Sequence, residues 1–233
     1  MDGLHANSTY MQDTIERHLL APAQSVVPTV VTIPSFRDDG RDEPPQEHIL
    51  ASLPDEPFIL FVGALRPTKG VGVLLEAYRQ LESPPPLVFI GTQQPDTPAF
   101  PRDVVVLRDV PHGTVMAAWG RCLFGVAPST WPEPLGNVVH EAMSRGKAVI
   151  GTSPSGMSDM IEHEVSGLLV PAGSVSALAH AMDRLIRDVS LRERLESAAR
   201  AKSADFTSER VVPRFERLYE EMIAKRAEER SFG

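Results

Sequence analysis

Two glutamates, Glu133 and Glu141, lie eight positions apart across a glycine-bearing turn in Glu133-Pro-Leu-Gly-Asn-Val-Val-His-Glu141. The apolar run Cys122-Leu-Phe-Gly-Val-Ala127 precedes them, and Pro128-Ser-Thr-Trp-Pro132 leads out of it. The order reads as a strand, a loop and a helix that starts near Asn137. The first turn of a helix leaves backbone N–H groups unpaired and carries the positive end of the dipole. Phosphate is the common occupant of such a place. Glu133 falls just before the N–H cluster. Glu141 falls about one turn inside, where a carboxylate suits the hydroxyls of a ribose. One short loop could therefore hold a sugar hydroxyl, a diphosphate and a ribose. The plainer alternative is that both glutamates complement the helix dipole on a solvated face.

The elements that would position this loop follow from periodicity. Apolar runs predict strands at Phe58–Val62, Leu87–Ile90, Val104–Leu107, Leu123–Ala127, Ala148–Ile150 and Leu168–Val170. Val71, Leu74, Leu75, Tyr78 and Leu81 follow helical spacing, as do Val175, Leu178, Met182 and Leu185. Strands without polar alternation, interleaved with helices, imply an α/β fold: a parallel sheet with helices on both faces. Ligands of such sheets bind at the carboxyl ends of the strands. The Glu133 loop starts at one such end.

The pattern Pro-Ser-x-x-x-Glu-x-x-Gly-x-x-x-x-Glu-Ala-Met over 128–143 resembles the Glu-x7-Glu signature of the retaining glycosyltransferases of family 4, which have the GT-B architecture. Upstream, Phe58-Ile-Leu-Phe-Val-Gly-Ala-Leu-Arg-Pro-Thr-Lys-Gly70 resembles that family's strand, its Gly-Arg-Leu-x-x-x-Lys-Gly loop and the helix behind it. The similarity runs from about Ser8 to about Tyr219. It implies a Rossmann-like sheet forming the C-terminal half of a GT-B fold. It also implies transfer of a hexosyl-type sugar from a nucleotide-diphosphate donor to an acceptor, with retention.

The resemblance also assigns roles. Lys69 and Glu133 would be the catalytic pair. Lys69, as a point charge, would neutralise the leaving nucleoside diphosphate, so neither a metal ion nor a cofactor is implied. Glu133 would touch the donor sugar and the transferring centre. Gly63 would open the first loop beside the donor. The amides of Leu135, Gly136 and Asn137 would meet sugar hydroxyls, those of Val138 and Val139 the phosphates, and Glu141 the ribose. Gly136 suits this because backbone approaches a ligand closely only without a Cβ. The base would lie near Arg108-Asp-Val110, with Val110 in the donor site. Gly156-Met-Ser-Asp159 fits a loop usually reading Gly-x-x-Glu, which gives Asp159 a structural role. Trp131 either walls the sugar pocket or simply packs.

One departure stands out. The family carries arginine directly after the loop glycine, where this chain has Ala64. Arg66, two positions on, either replaces that guanidinium or sits on the surface. An anion clamp with one cation fewer stabilises a leaving group less.

In the family, a Ser-x-x-Met helix and a Val-x-x-Ile-Pro strand end the N-terminal, acceptor-binding domain. Asn7-Ser-Thr-Tyr-Met11 and Val30-Val-Thr-Ile-Pro34 fit those places. Residues 1–36 are thus expected to be a remnant of that domain, with a helix over Thr9–Leu20 and a strand over Ser25–Ile33. Acidic, proline-rich 37–57 is a connector rather than core. The donor-binding domain is 58–205. A closing helix over Ser208–Arg226 and a tail fill 206–233, and Pro213 is tolerable near that helix start. The implied partners are a nucleotide sugar and an acceptor-binding domain absent from this chain.

Composition narrows the alternatives. A net charge of −8 over 233 residues, with a pI near 5.4, argues against a general nucleic-acid or anionic-membrane binder. Peripheral membrane association stays open. Cys122 is the only cysteine, so no internal disulfide can form, and a reducing, cytoplasmic setting is expected. No apolar run approaches the ~20 residues of a membrane helix, and the first ten residues show no signal pattern. The histidines group with neither cysteine nor one another, so they read as structural or solvated and no metal site is expected. Three other readings compete with the donor half of a transferase: a non-catalytic nucleotide-sugar or partner-binding module, a sugar-nucleotide epimerase of the same architecture, and a dehydrogenase. The last wants Gly-x-Gly-x-x-Gly after the first strand, which Gly63-Ala-Leu-Arg-Pro-Thr does not supply.

Overall fold

The computed structural model describes residues 4–18, 30–35 and 43–231, with side chains through 227. The parts of the expected helix, strand and connector at 19–20, 25–29 and 37–42 lie outside the described residues. A small parallel pair comes first: β1 (Leu4–Ala6) and β2 (Val30–Thr32), with α1 (Thr9–His18) between them in the chain. Next comes α2 (Glu47–Leu50). The main sheet then alternates with helices: β3 (Ile59–Val62), α3 (Val71–Tyr78), β4 (Leu87–Gly91), β5 (Val105–Arg108), α4 (His112–Arg121), β6 (Phe124–Val126), α5 (Asn137–Ser144), β7 (Val149–Ser153) and β8 (Leu168–Pro171). α6 (Val175–Arg187), α7 (Val189–Ser203) and α8 (Ser208–Ser231) close the chain. Among the described residues no helix is long and apolar enough to cross a membrane.

The six strands of the main sheet are all parallel, in the order β5-β4-β3-β6-β7-β8. The chain winds outward from β3 to β5, returns to β6 on the other side of β3, and winds outward again. Loops leaving β3 and β6 therefore diverge in opposite directions. The crevice they leave at the carboxyl edge is where ligands of open α/β sheets bind.

Strand parity explains the unbroken apolar runs. Side chains alternate between faces, and both faces are covered. Phe58, Leu60, Val88, Ile90 and Val149 join the core under α4 and α5. Ile59, Phe61, Leu87, Phe89, Phe124 and Ile150 join the core under α3, α6 and α7. On β6, Gly125 leaves room for Trp119: a Cβ there would stand 2.7 Å from the indole ring.

Part of the 37–57 stretch does not behave as a pure connector. Leu50 and Leu53 are buried and pack into the core on the α4 side. Arg121 at the end of α4 holds this turn by donating to the Leu50 and Pro54 carbonyls, at 3.0 and 3.1 Å. The acidic and proline-rich average of the segment hid two leucines with a core face to fill.

Cys122 lies in the same core, and burial pushes its thiol up to about 12. At pH 8 the folded protein is expected to leave an aromatic disulfide reagent unreacted over minutes, and to release one equivalent once unfolded. Fast native reaction would contradict this packing.

The β1–α1–β2 unit is fastened to the rest at several points. The Thr9 amide, first in α1, donates to Asp159 Oδ2 at 2.7 Å, so Asp159 satisfies an otherwise open helix N-terminus. The Ser8 hydroxyl donates to the Pro134 carbonyl. From α8, Arg214 donates to the Thr32 carbonyl at 2.8 Å, and Phe215 packs edge-on against His5 with ring centroids 4.9 Å apart.

Candidate active site

The crevice between the β3 and β6 loops is a cavity of about 330 Å³. Its floor is Phe61 and Val62 at the end of β3 and Ala127 at the end of β6. One wall is the β3 loop, with Gly63 and Lys69. The other runs from Ser129 through Glu133, Pro134, Leu135 and Gly136 to Asn137 and Val138 at the start of α5. Met157 and Asn7 complete the lining.

Two glycines let these walls form. Gly70 adopts a left-handed conformation (φ 78°) and starts α3. A Cβ there would sit 1.9 Å from the Pro128 carbonyl oxygen. Its absence lets the β3 loop lie directly on the β6 loop. The Thr130 amide then donates to the Thr68 carbonyl at 3.0 Å and locks the two together. Gly136, also left-handed (φ 88°), turns the chain into α5, where only a residue without a Cβ takes that conformation at little cost.

Glu133 is the centre of the site and is almost fully buried. Its Oε1 accepts from Lys69 Nζ at 2.6 Å, Ser129 Oγ at 2.6 Å and Trp131 Nε1 at 2.8 Å. Its Oε2 accepts no hydrogen bond from the described residues. The carboxylate is thus held by one oxygen and offers the other. The loop beneath is also fixed: the Glu133 carbonyl accepts from the Gly156 amide at 2.7 Å, and the Ser129 carbonyl from the Thr152 hydroxyl at 3.0 Å.

Lys69 keeps two of its three ammonium protons for other partners, and Trp131 lies with its ring centroid 6.0 Å from Nζ. Trp131 is itself 43% exposed. It acts on the site through its indole N–H rather than by packing. Sequence reasoning missed Ser129, from the Pro-Ser pair. Its place four residues before Glu133 on a returning loop is the signal that could have found it.

The helix end behaves unevenly. Val138 lines the cavity, and the first amides of α5 have no carbonyl one turn back. Val139 differs from expectation: its amide donates to the Gly136 carbonyl at 2.9 Å, and its side chain is fully buried. The αL turn at Gly136 brings that carbonyl round to close the bond.

Glu141 points behind the cavity wall, between α4 and α5. The buried indole of Trp119 donates to its Oε2 at 3.4 Å, and His112 Nε2 lies 3.6 Å from its Oε1. His112, read as structural or solvated, therefore stands next to a site residue. Arg66 leaves the crevice: its Nη2 pairs with Asp96 at 3.3 Å on the surface, so the loop does not bend it into the missing guanidinium's place. Val110 follows β5, half-buried against the core on the α4 side and away from this cavity. His140 is buried under Phe206 and meets the Ser203 carbonyl at 3.3 Å. Among the described residues no three His, Cys, Asp or Glu side chains gather as a metal cluster would.

Comparisons with known proteins agree with this architecture. A structure of sucrose-phosphate synthase from Thermosynechococcus elongatus superposes with a TM-score of 0.81 at 24% identity, over 96% of this chain and 59% of that one. HepE from Anabaena, solved in complex with UDP-glucose, superposes with a TM-score of 0.73 at 23% identity, over 95% and 64%. In sequence, the chain is 31% identical to the putative glycosyltransferase YtcC of Bacillus subtilis over 72% of its own length and 46% of the relative's. It is 29% identical to a D-inositol 3-phosphate glycosyltransferase of Jonesia denitrificans, over 92% of this chain and 53% of the relative. The chain thus spans about half the length of the curated relatives it matches. The family model described as glycosyl transferases group 1 matches residues 42–202, which include both walls of the crevice. This chain belongs to the group 1 glycosyl transferases.

Proposed function

We propose that this chain binds a nucleoside-diphosphate sugar in the β3–β6 crevice and supplies the donor half of a sugar transfer with retention of configuration. The acceptor side comes from outside these residues. The observation that carries the reading is the Glu133 carboxylate, anchored by three donors on Oε1 and unencumbered at Oε2, at the positive end of α5. A fixed acceptor oxygen suits a sugar hydroxyl. The adjoining amides and Lys69 suit the diphosphate.

In this reading the bond between the anomeric carbon and the diphosphate breaks, and charge gathers on the phosphate oxygens. Lys69, Asn137 and Val138 line the crevice, and their donors would meet that charge as preorganised groups that lower a barrier. Lys69 supplies the positive charge, so no metal ion is needed. Glu141 lies behind the crevice wall between Trp119 and His112, so the ribose contact that the resemblance implied for it is not part of this reading.

A second reading, binding without turnover, draws on one observation. The loop carries Ala64 where an arginine would complete the anion clamp, and Arg66 is engaged by Asp96.

Thermal melting with UDP, GDP, ADP and their sugar conjugates tests the proposal. A ligand at a hundred times its dissociation constant adds about 2.7 kcal/mol, which for a domain of this size raises Tm by about 5–11 °C. Stabilisation by one base series is expected. No shift with any of them would overturn the reading.

A further inference from the structure

Asn7 belongs to none of the elements of the donor domain, yet it lines the crevice. It follows β1 and precedes α1, and the residues around it in the chain are fastened. His5 Nε2 meets the Ile33 carbonyl at 2.7 Å, Ser8 donates to the Pro134 carbonyl, and Thr9 donates to Asp159. Pro134 directly follows Glu133 and is itself part of the cavity wall. The Ser8 bond therefore sets Asn7 against the wall that carries Glu133 and the start of α5.

The Asn7 side chain is half-buried, and its carboxamide makes no hydrogen bond to the described residues. An ordered, partly desolvated amide normally has a partner. A carboxamide both donates and accepts, which matches a hydroxyl and is a poor match for a phosphate, an acceptor alone at neutral pH. The phosphate side of the crevice already has its donors in Lys69 and the α5 amides.

We infer that Asn7 is a specificity-determining contact to the hydroxyls of the donor sugar, contributed across the crevice by the segment that precedes the donor domain. This rests on the donor-site reading above and deepens it. It makes the sugar-binding part of the site a joint product of two parts of the fold: Glu133 Oε2 on one side, the Asn7 amide on the other.

Titration calorimetry on the full chain tests this, with UDP and GDP as parent diphosphates and UDP-glucose, UDP-N-acetylglucosamine and GDP-mannose as conjugates. Asn7→Ala is expected to weaken the best-bound conjugate about tenfold, the worth of one well-made hydrogen bond, while the parent diphosphate changes less than twofold. Asn7→Asp, which accepts but cannot donate, should fall between. Unchanged parent affinity also shows that the variant keeps its fold. Equal losses for conjugate and parent, or no loss for either, would overturn the role of Asn7 and leave the donor site standing. A wild-type chain that binds none of the five, nor ADP or ADP-glucose, would overturn both.

Discussion

Replacing Lys69 with methionine is expected to weaken nucleoside-diphosphate binding by roughly ten- to a hundredfold, since a hydrogen bond to a charged group is worth about 1.5–3 kcal/mol. Calorimetry on the variant measures it. The same change should cost stability, because Glu133 is buried and loses the cation at 2.6 Å. Ser129 and Trp131 continue to donate to it, and Lys69 is partly exposed, so the loss is expected near 1–2 kcal/mol rather than the full penalty of an orphaned buried charge. The double variant Lys69→Met/Glu133→Gln separates the two roles. A neutral amide oxygen still accepts from Ser129 and Trp131, so melting temperature should largely recover. Affinity should not. If affinity recovered with stability, Lys69 would be a structural partner of Glu133 and not a diphosphate contact.

Gly70→Ala is expected to be the most destabilising single change near the site, at about 3 kcal/mol or more. A Cβ in the left-handed region costs roughly 1–2 kcal/mol. Here it would also meet the Pro128 carbonyl oxygen at 1.9 Å, a backbone atom with no rotamer to escape by. The two loops must part, which breaks the Thr130–Thr68 bond and lengthens the Lys69–Glu133 pair. For a chain of this size the loss corresponds to a fall in Tm of about 6–12 °C. Gly70→Asn discriminates between the causes. Asparagine tolerates the left-handed conformation, so relief in that variant would make backbone strain the larger cause. Equal damage would point to the clash.

The sheet was legible because its physics is written in runs. Strands buried on both faces are apolar at every position, and all six expected strands are present with ends shifted by at most three residues. The order across the sheet, with its reversal beside β3, rests on pairings between distant strands that no run spells out. Three helices were not revealed by spacing: α2 is a single turn inside the stretch read as a connector, and the other two have specific reasons. α4 opens His112-Gly and carries Gly120, residues that read as loop, and its buried face mixes Gly113, Thr114 and Ala118 with Val115, Met116 and Trp119. α7 buries only Leu191, Leu195 and Ala199 among its larger apolar positions, a stripe too narrow to stand out.

At the site, spacing singled out Glu133 and the family resemblance Lys69, but neither showed that the two touch each other across 64 residues of chain. The direction of Arg66 was equally out of reach. It depends on Asp96, in a loop after β4 that no local pattern connects to it. His112 and Trp119 came to Glu141 through the packing of α4 on α5, a contact between elements of which one was itself unforeseen.

The fastening of β1 to α8 has a consequence for the order of assembly. His5 meets Phe215, and Thr32 meets Arg214, so the unit carrying Asn7 is clasped by residues about two hundred positions away. A two-stranded pair is marginal by itself, and such distant contacts are the slow ones to form. On the ribosome, the donor sheet can collapse as soon as β8 emerges. The Ser8 and Thr9 bonds can form with that sheet, whereas the clasp by Arg214 and Phe215 is added only when α8 follows. Closing of the α8 clasp over β1 and β2 is therefore a later step of folding than collapse of the main sheet.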